Sequence, residues 1–306
     1  MHDIKTLVLT FEEKLEIARN RRGTADPRPL PGQATASAAP ARLPQWPDAV
    51  RALPNAFLRS ALFGAIARGR RRYMERELIA AVEGVEIRYS GQRLDQGDLD
   101  VWSSILHSVR AQDLGSKCRV TSYSLLKLMG KKDTGGNRET LHARITRLRA
   151  NAVEIKQGRF SYIGGLIAGA ARDEETQEWL IELDPKIRPL FAADQFTHLE
   201  WSVRHSLDGL PLAQWLHGFY ATHAQPFPLK VETLHGLCGS EAGEMWKFSQ
   251  TLRKALDAVS EASTAHGTPF GYEIRGDLVH VEKKARGAQR RHLAKKQAAK
   301  PRKPHG

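Results

Sequence analysis

The sequence predicts an α+β protein made of two tandem winged-helix domains between disordered N- and C-terminal tails. Three observations support this class. The order helix, strand, helix, turn, helix, β-hairpin occurs twice between about residues 43 and 282. In each half the last helix of that order has an apolar face and a polar face. The chain also carries a net charge of +13, which favours a polyanionic partner.

The charge is distributed unevenly along the 306 residues. Of the 47 Lys and Arg residues, ten lie in 282–306 beside a single acid. The rest of the chain carries only a small excess, so any DNA binding by the folded part must rely on local patches. With 41% hydrophobic residues the chain can form a core. No apolar stretch is long enough for a membrane span, and no secretion signal is recognised.

Two cysteines, Cys118 and Cys238, lie far apart without a Cys-x-x-Cys spacing. A disulfide framework and a zinc site are therefore not expected, and a reducing cytoplasm fits this usage.

Composition divides the chain into four parts. Residues 1–42 form an N-terminal lead and a Pro/Ala-rich linker that cannot bury enough apolar surface to order itself. Residues 43–184 form the first winged-helix domain, and residues 185–282 form the second. Residues 283–306 form a basic tail without apolar periodicity, which we expect to be disordered.

The first domain should open with a helix over 55–67, for which Asn55 is the N-cap. A hairpin follows from Val85, and Asp98 caps a helix over 99–110. A short strand, two helices and a strand meander complete it at 118–120, 121–129, 137–150 and 153–183. The second domain should contain helices over 185–192, 200–207, 212–223, 232–238 and 241–260, followed by a hairpin over 271–281.

The helix over 137–150 is the first candidate for reading DNA. Leu141, Ile145 and Leu148 are spaced to face inward. Guanidinium and amide groups on a helix in the major groove can bond base edges, whereas a solvated basic face is the alternative explanation. The residues that we expect to contact DNA are Arg138, Thr140, Arg144, Arg147 and Asn151.

The helix over 241–260 is the second candidate. Met245, Phe248 and Leu252 are among the residues spaced to face inward. The helix is roughly neutral, which weakens the electrostatic argument but not base reading. Arg275, at the tip of the following hairpin, should contact phosphate. The residues of the helix that we expect to contact DNA are Lys247, Gln250, Thr251, Arg253 and Lys254.

One weak candidate for catalysis is present, and we expect no enzyme activity. His107 and Arg110 match the His-x-x-Arg of tyrosine recombinases, with tyrosines downstream, but about one such match is expected by chance. Asp95, Asp98 and Asp100 could suggest a metal site, but a turn and a helix cap explain why they are there. The sequence has neither a His-x-His nor a P-loop, so we expect no catalytic residue, metal or cofactor.

Several runs resemble the TrfA family of plasmid replication initiators across about residues 43–281. They are WPDAVRALPN at 46–55, RSALF at 59–63, GVEIRYSGQRLDQGDLDVW at 84–102, RDEET at 172–176, PLAQWLHGFY at 211–220, LKVETLH at 229–235 and LCGS at 237–240. The resemblance implies two winged-helix domains that bind repeated origin sequences (iterons). It also implies opening of the origin, recruitment of the host helicase and sliding clamp, and a monomer–dimer equilibrium.

The chain departs from the family where some members carry a clamp-binding pentapeptide ahead of the first domain. The matching place reads RLPQW, and only Leu43 and Trp46 correspond. These two residues are the candidate clamp contacts, and packing of Trp46 onto the domain is the competing interpretation.

The function expected from the sequence is that of a cytoplasmic initiator that binds double-stranded origin iterons, helps to open the duplex and recruits host replication proteins. The alternatives are a transcriptional repressor with the same fold and a tyrosine-type recombinase.

Overall fold

The computed structural model describes residues 42–294, except positions 68, 70, 159, 288 and 292. The helices are α1 (Asn55–Leu58), α2 (Gln96–Val109), α3 (Ser122–Leu128), α4 (Gly135–Arg149), α5 (Trp201–Ser206), α6 (Pro211–Ala221), α7 (Val231–Leu237) and α8 (Met245–Ala265), with a 3-10 helix at Pro185–Phe191.

The strands lie before, between and after these helices, singly or in runs of up to four. They are β1 (Val50–Pro54), β2 (Phe63–Gly64), β3 (Tyr73–Ile79), β4 (Val85–Gln92), β5 (Leu94–Asp95), β6 (Cys118–Thr121), β7 (Ala152–Gln157), β8 (Phe160–Gly164), β9 (Gly169–Arg172), β10 (Glu178–Glu182), β11 (Phe196–Glu200), β12 (Leu229–Lys230), β13 (Phe270–Arg275) and β14 (Leu278–Lys283).

One arrangement of helices and strands occurs twice. In the first half it is α2, β6, α3, α4, β9 and β10, and in the second half it is α6, β12, α7, α8, β13 and β14. The sheet orders correspond, β6-β10-β9 and β12-β14-β13, so the strand before the helix pair lies beside the last strand each time. In the first half the β7–β8 hairpin is inserted after α4 and extends β3 and β4 into a four-stranded antiparallel sheet.

The buried apolar residues form two clusters, one for each half. The first runs along the chain from Leu43 to Leu199 and the second from Val203 to Val281. The change therefore comes after β11, whereas the sequence predicts a boundary at 185. β11 belongs to the first half because it pairs with β1, a strand that no local pattern indicated.

Several helices begin or end away from their expected residues, among them α1, α2 and α8, which spans Met245–Ala265 and not 241–260. α1 stops at Leu58 because the following backbone bonds elsewhere: the Ala61 N–H donates to Ala80 O, and the Ala65 N–H donates to Cys238 O. α2 begins at Gln96 because Asp95, not Asp98, is its N-cap. The Asp95 and Asp98 carboxylates each accept the other's backbone N–H at 2.9 Å, which is a capping box.

A buried guanidinium group joins the halves. Arg204 on α5 has a side chain that is only 1% exposed, and its Nε donates to Asp100 on α2 at 2.6 Å. Its other nitrogens donate to Gln96 of α2 and to the Gln214 carbonyl oxygen of α6. Because these partners belong to α2 and α6, the hydrogen bonds of Arg204 hold the two helices in one relative position.

Further bonds between the halves surround this contact. Arg59 donates to the side chain and the carbonyl oxygen of Thr222, each at 2.7 Å. The Trp215 indole N–H donates to Ser60 O at 3.0 Å.

The segment after β14 is anchored, so the prediction that the disordered tail starts at 283 is wrong at its beginning. The Lys283 ammonium donates to the carbonyl oxygens of Tyr220 and His223 at 2.9 and 2.7 Å, at the end of α6. Gln289 donates to Ala221 O at 2.6 Å. Positions 295–306 of the predicted tail, and positions 1–41 of the predicted lead, lie outside the described residues. Among the described helices, none is long and apolar enough to cross a membrane.

Candidate nucleic-acid interface

α4 forms where the sequence predicts a DNA-reading helix, and its inner face is the expected one. Thr134 is the N-cap, and its hydroxyl accepts the Asn137 N–H at 3.3 Å. Leu141, Ile145 and Leu148 are fully buried in the first apolar cluster.

The arginines of α4 do not lie on its outer face, and this part of the prediction is wrong. Arg144 Nη1 donates to Asp95 at 2.6 Å and Arg147 Nη1 donates to Asp98 at 2.5 Å. Arg71 also contacts Asp95. The side chains of Arg144 and Arg147 are 12% and 13% exposed, so their charges are directed at the start of α2. These five residues form a buried ion cluster.

The charges of the ion cluster shift the pKa values of both carboxylates in opposite directions. Burial alone would raise the pKa of Asp95, but the Arg144 and Arg71 guanidinium groups outweigh burial and hold that pKa well below its usual range. Burial and the neighbouring Asp95 charge raise the pKa of Asp98 to about 6. Removing one of the three cations would leave Asp95 and Asp98 with fewer partners in a buried place, which makes the cluster a structural element.

Helical geometry explains the wrong assignment. Successive residues are about 100° apart around an α-helix. Arg144 is therefore about 70° from the centre of the apolar face and lies at its edge. Arg147 is about 130° from that centre, and its long side chain reaches Asp98 on α2. The residues most nearly opposite the core are Glu139, Ala143 and Ala150, and all three are exposed.

The other predicted residues of α4 are also held by the protein. Asn151 closes the helix: its amide donates to the carbonyl oxygens of Arg147 and Leu148, and its oxygen accepts the Leu166 N–H. Its side chain is thus bonded within the protein, and its expected contact with a base edge stays a prediction. Thr140 is exposed, and its hydroxyl donates to the Gly136 carbonyl oxygen.

A basic cleft of about 540 Å³ lies along the first turns of α4. It is lined by Gly135, Arg138, Glu139, His142, Ala143 and Arg172. Arg138 makes a two-pronged contact with Asp133 at 2.6 and 2.7 Å and keeps a 40% exposed side chain. Arg172, at the end of β9, lies 3.2 Å from His142. Two guanidinium groups beside a helix start suit a phosphate group.

Sequence reasoning missed Arg172 as a site residue. Arg172 was noted only as the first residue of the RDEET run that resembles the TrfA family. No helical or strand periodicity connects it with Arg138. Only the pairing of β9 with β10 brings it back towards α4.

α8 presents the polar face that the sequence predicts. Phe248, Leu252 and Val259 are buried in the second apolar cluster. The predicted DNA contacts on this helix are all exposed or partly exposed: Lys247, Gln250, Thr251, Arg253 and Lys254. Lys247 makes an exposed ion pair with Glu244 at 3.3 Å, and its side chain stays 58% exposed. A pair of that kind contributes little, so the ammonium group can be redirected to another anion.

The β13–β14 hairpin is attached to α8. The Tyr272 hydroxyl donates to Asp257 on the helix at 2.6 Å. At the hairpin tip Arg275 contacts Glu273 at 2.6 Å and is 67% exposed. Arg275 thus lies at the hairpin tip, as the sequence predicts, and is open to solvent.

Two apolar side chains at the start of α8 were not anticipated. Met245 is 41% exposed and Trp246 is 58% exposed. The signal for Trp246 was present in the sequence, since it does not fall on the apolar face that Phe248 and Leu252 define. Met245 was expected to face inward, and its exposure corrects that assignment.

The predicted clamp contacts are buried, which corrects that assignment. Leu43 and Trp46 belong to the first apolar cluster and are 3% and 4% exposed. The Trp46 indole N–H donates to His107 Nδ1 at 3.0 Å, so the proton of His107 lies on Nε2, which faces Asp48 at 3.0 Å. Packing of Trp46 onto the domain is the interpretation that the structure supports.

His107 and Arg110, the candidate catalytic pair of the recombinase alternative, bond to this same segment of the chain. Burial and the charges of Arg51 and Arg110 lower the pKa of His107 to about 4. Arg110 Nη2 lies 2.6 Å from the Asp48 carboxylate. Both residues therefore hold the segment before β1 in place.

Comparison with known proteins places these features in a family. A family model described as TrfA protein matches residues 39–283. The plasmid replication initiator protein TrfA of Escherichia coli is 26% identical over 248 residues, which are 78% of this chain and 63% of that protein. The RepFIB replication protein A of Escherichia coli is 23% identical over 194 residues, 60% of this chain and 59% of that protein.

The chain spans less than two thirds of the length of these two relatives. Among solved structures, domains 2 and 3 of RctB match with a TM-score of 0.51 and 14% identity, over 72% of this chain and 94% of that one. This likeness shows a shared fold. The family match covers both halves and both candidate helices, and the chain belongs to the TrfA protein family.

Proposed function

We propose that this chain is a sequence-specific DNA-binding initiator of plasmid replication, in which α8 reads bases and the first half holds the DNA backbone. The observation that carries the proposal is the outer face of α8, where five predicted contacts reach solvent above a fully buried apolar face. Membership of the TrfA protein family supports the replication role.

The two repeated arrangements are proposed to be winged-helix domains. In each, a helix and a short strand precede two helices, and two further strands return beside that short strand. α3–α4 and α7–α8 would be the helix pairs, and β13–β14 would be the wing of the second domain. In such folds the second helix of the pair enters the major groove.

The two halves differ in what they can offer DNA. α8 has accessible ammonium, amide and hydroxyl groups, which suit base edges and phosphates. α4 has an outer face of small and acidic residues, but Arg138 and Arg172 line its cleft. We therefore assign backbone contacts to the first half and base reading to the second. Phosphate contacts fix position, and base contacts fix sequence.

The proposed mechanism uses binding free energy and no catalysis by this chain. Several copies on adjacent iterons would strain and open the neighbouring A·T-rich duplex. The host would supply the helicase and the clamp, in the cytoplasm, and a monomer–dimer equilibrium would control how many copies bind. Because Leu43 and Trp46 are buried, clamp contact, if made, uses another surface.

A replication assay tests this proposal. A plasmid whose only origin is the region around this gene is introduced into the host, with the chain supplied from a second plasmid. We expect the plasmid to be maintained only when the chain is present. Loss of the plasmid together with repression of the gene's promoter would identify a repressor instead. A covalent protein–DNA adduct would identify a recombinase.

A further inference from the structure

Trp246 is set apart from every other tryptophan of the chain. The sequence has six, and the other five are between 0% and 5% exposed: Trp46, Trp102, Trp179, Trp201 and Trp215. Trp246 is 58% exposed and belongs to neither apolar cluster. Burial of its ring therefore does not explain why a large apolar side chain is found there.

The position of Trp246 on α8 relates it to the proposed base-reading face. Trp246 and Gln250 are four residues apart, so they project within about 40° of each other. Met245 precedes it and is 41% exposed. The Lys247 ammonium lies 5.3 Å from the centroid of the indole ring. Trp246 thus lies at the N-terminal end of a polar face that carries cations, and Met245 projects about 100° away from it around the helix.

We propose that Trp246 is a base-contacting residue whose ring packs against a thymine methyl group in the major groove. The inference rests on the proposed function, since α8 must enter the groove for it to hold. The thymine C5-methyl group is the apolar feature that the major groove presents. The N-terminal residues of a recognition helix are the ones that reach base edges.

The neighbouring groups favour DNA over a protein as the partner of this patch. Lys247 and Gln250 flank the ring and offer a cation and an amide, which suit phosphate and adenine. Packing of the indole ring on a methyl group would leave these two side chains able to make those contacts. Trp246 would then give preference for A·T base pairs next to the position that Gln250 reads.

The test uses a duplex that the wild-type chain selects from a randomised pool. Each thymine of that duplex is replaced in turn by deoxyuridine, which removes only the methyl group. We expect the wild type to lose about fourfold in affinity at one or two positions, the effect of one buried methyl group. Trp246→Ala should bind the parent duplex more weakly and show no further loss at those positions.

Phe227→Ala is the matched control, because Phe227 is a 75% exposed aromatic residue of the second half that lies outside α8. It should keep both the affinity and the thymine sensitivity of the wild type. Thermal unfolding of Trp246→Ala should match the wild type, since the ring is not part of the core.

A second readout does not depend on affinity. Trp246 is the one tryptophan that acrylamide should reach readily in the free protein, so its quenchable fluorescence should disappear in the specific complex.

Three outcomes would overturn the inference. Trp246→Ala could keep full thymine sensitivity, or the indole could stay quenchable in the specific complex. Failure to enrich any specific duplex would overturn the proposed function itself and this inference with it. The first two results, obtained with specific binding intact, would remove only the role of Trp246.

Discussion

α4 and α8 look alike in sequence but use their charged residues differently. Each has three or more apolar residues at helical spacing and basic residues between them. On α4 the Arg144 and Arg147 side chains are 12% and 13% exposed and bond the carboxylates at the start of α2. On α8, Lys247 is 58% exposed, and it pairs with Glu244, a neighbour on the surface.

The difference shows that a basic helix face is not by itself a DNA-binding face. A guanidinium group that is buried and neutralised by carboxylates of the same protein is not available to phosphate or guanine. For α4 the neutralising residues are Asp95 and Asp98, which are 46 to 49 positions away along the chain. Arg144 and Arg147 of α4 therefore stabilise the fold, and the cations of α8 remain available for a ligand.

The largest effect that separates the two helices should be on stability. Arg144→Met leaves Asp95 and Asp98 with fewer cations in a buried place, and we expect the free energy of unfolding to fall by about 3 kcal/mol. Urea denaturation measures it. Arg149→Met, at an exposed position of the same helix, is the control and should change stability by less than about 0.5 kcal/mol. Equal stability of the two variants would show that the ion cluster is not structural.

Acid should lower the stability of the second half, which carries α8, through a buried neutral histidine on α6. His217 on α6 is buried beside the second apolar cluster, and burial together with the charges of Arg204 and Lys283 lowers its pKa to about 3. The unfolded chain takes up this proton first, so stability is full above about pH 6.5 and falls towards pH 3, by up to about 1.4 kcal/mol per pH unit.

Urea denaturation between pH 7 and pH 4 measures this dependence. In His217→Leu the stability should fall less steeply with pH than in the wild type, by the slope that corresponds to about one proton. This holds whatever the stability of the variant at pH 7. An unchanged slope would mean that His217 does not carry the acid sensitivity.

Single substitutions on the outer face of α8 should act on binding and leave stability intact. Gln250→Ala or Lys254→Ala should each weaken specific DNA binding by about 1–3 kcal/mol if the residue contacts a base. Fluorescence anisotropy at fixed salt measures the loss. Glu261→Gln, on an exposed position further along the same helix, should bind like the wild type. Wild-type affinity of both α8 variants would exclude α8 as the reading helix.

The smallest effect should come from the last twelve residues. Positions 295–306 hold five Lys and Arg and no acid, which suits counterion release and not base reading. Truncation after 294 keeps Lys283 and Gln289 on α6 and should weaken specific and random DNA binding by a similar factor. The slope of log K against log salt should become shallower, by about 0.9 for each phosphate that the shortened chain no longer neutralises. Loss of discrimination would instead make this segment a base reader.

The sequence predicts features that depend on residues close together in the chain, and it misses those that depend on distant residues. The inner faces of α4 and α8 were predicted correctly apart from Met245, because an apolar repeat depends only on residues within a few turns. The ion cluster was not predicted, because Arg144 and Asp95 are far apart in sequence and come into contact only in the folded chain. The pairing of β1 with β11 was missed for the same reason, since neither strand has a partner nearby in sequence.

The candidate site shows the same division. Lys247 and Gln250 lie where helical spacing puts them, whereas Arg172 reaches α4 through strand pairing. Trp246 was overlooked although its spacing alone excluded it from the apolar face. A tryptophan that helical spacing places on a polar face is a signal that sequence reading can use.

The central claim is that α8, and not α4, distinguishes one DNA sequence from another. Its most direct test measures the affinity of two variants for the selected duplex and for random duplex at the same salt concentration. One variant carries Lys247→Ala, Gln250→Ala and Lys254→Ala, and the other carries Thr140→Ala, Thr146→Ala and Arg149→Ala on exposed positions of α4. We predict that the α8 variant loses discrimination and that the α4 variant keeps it. Loss of discrimination in the α4 variant, with discrimination intact in the α8 variant, would contradict the account.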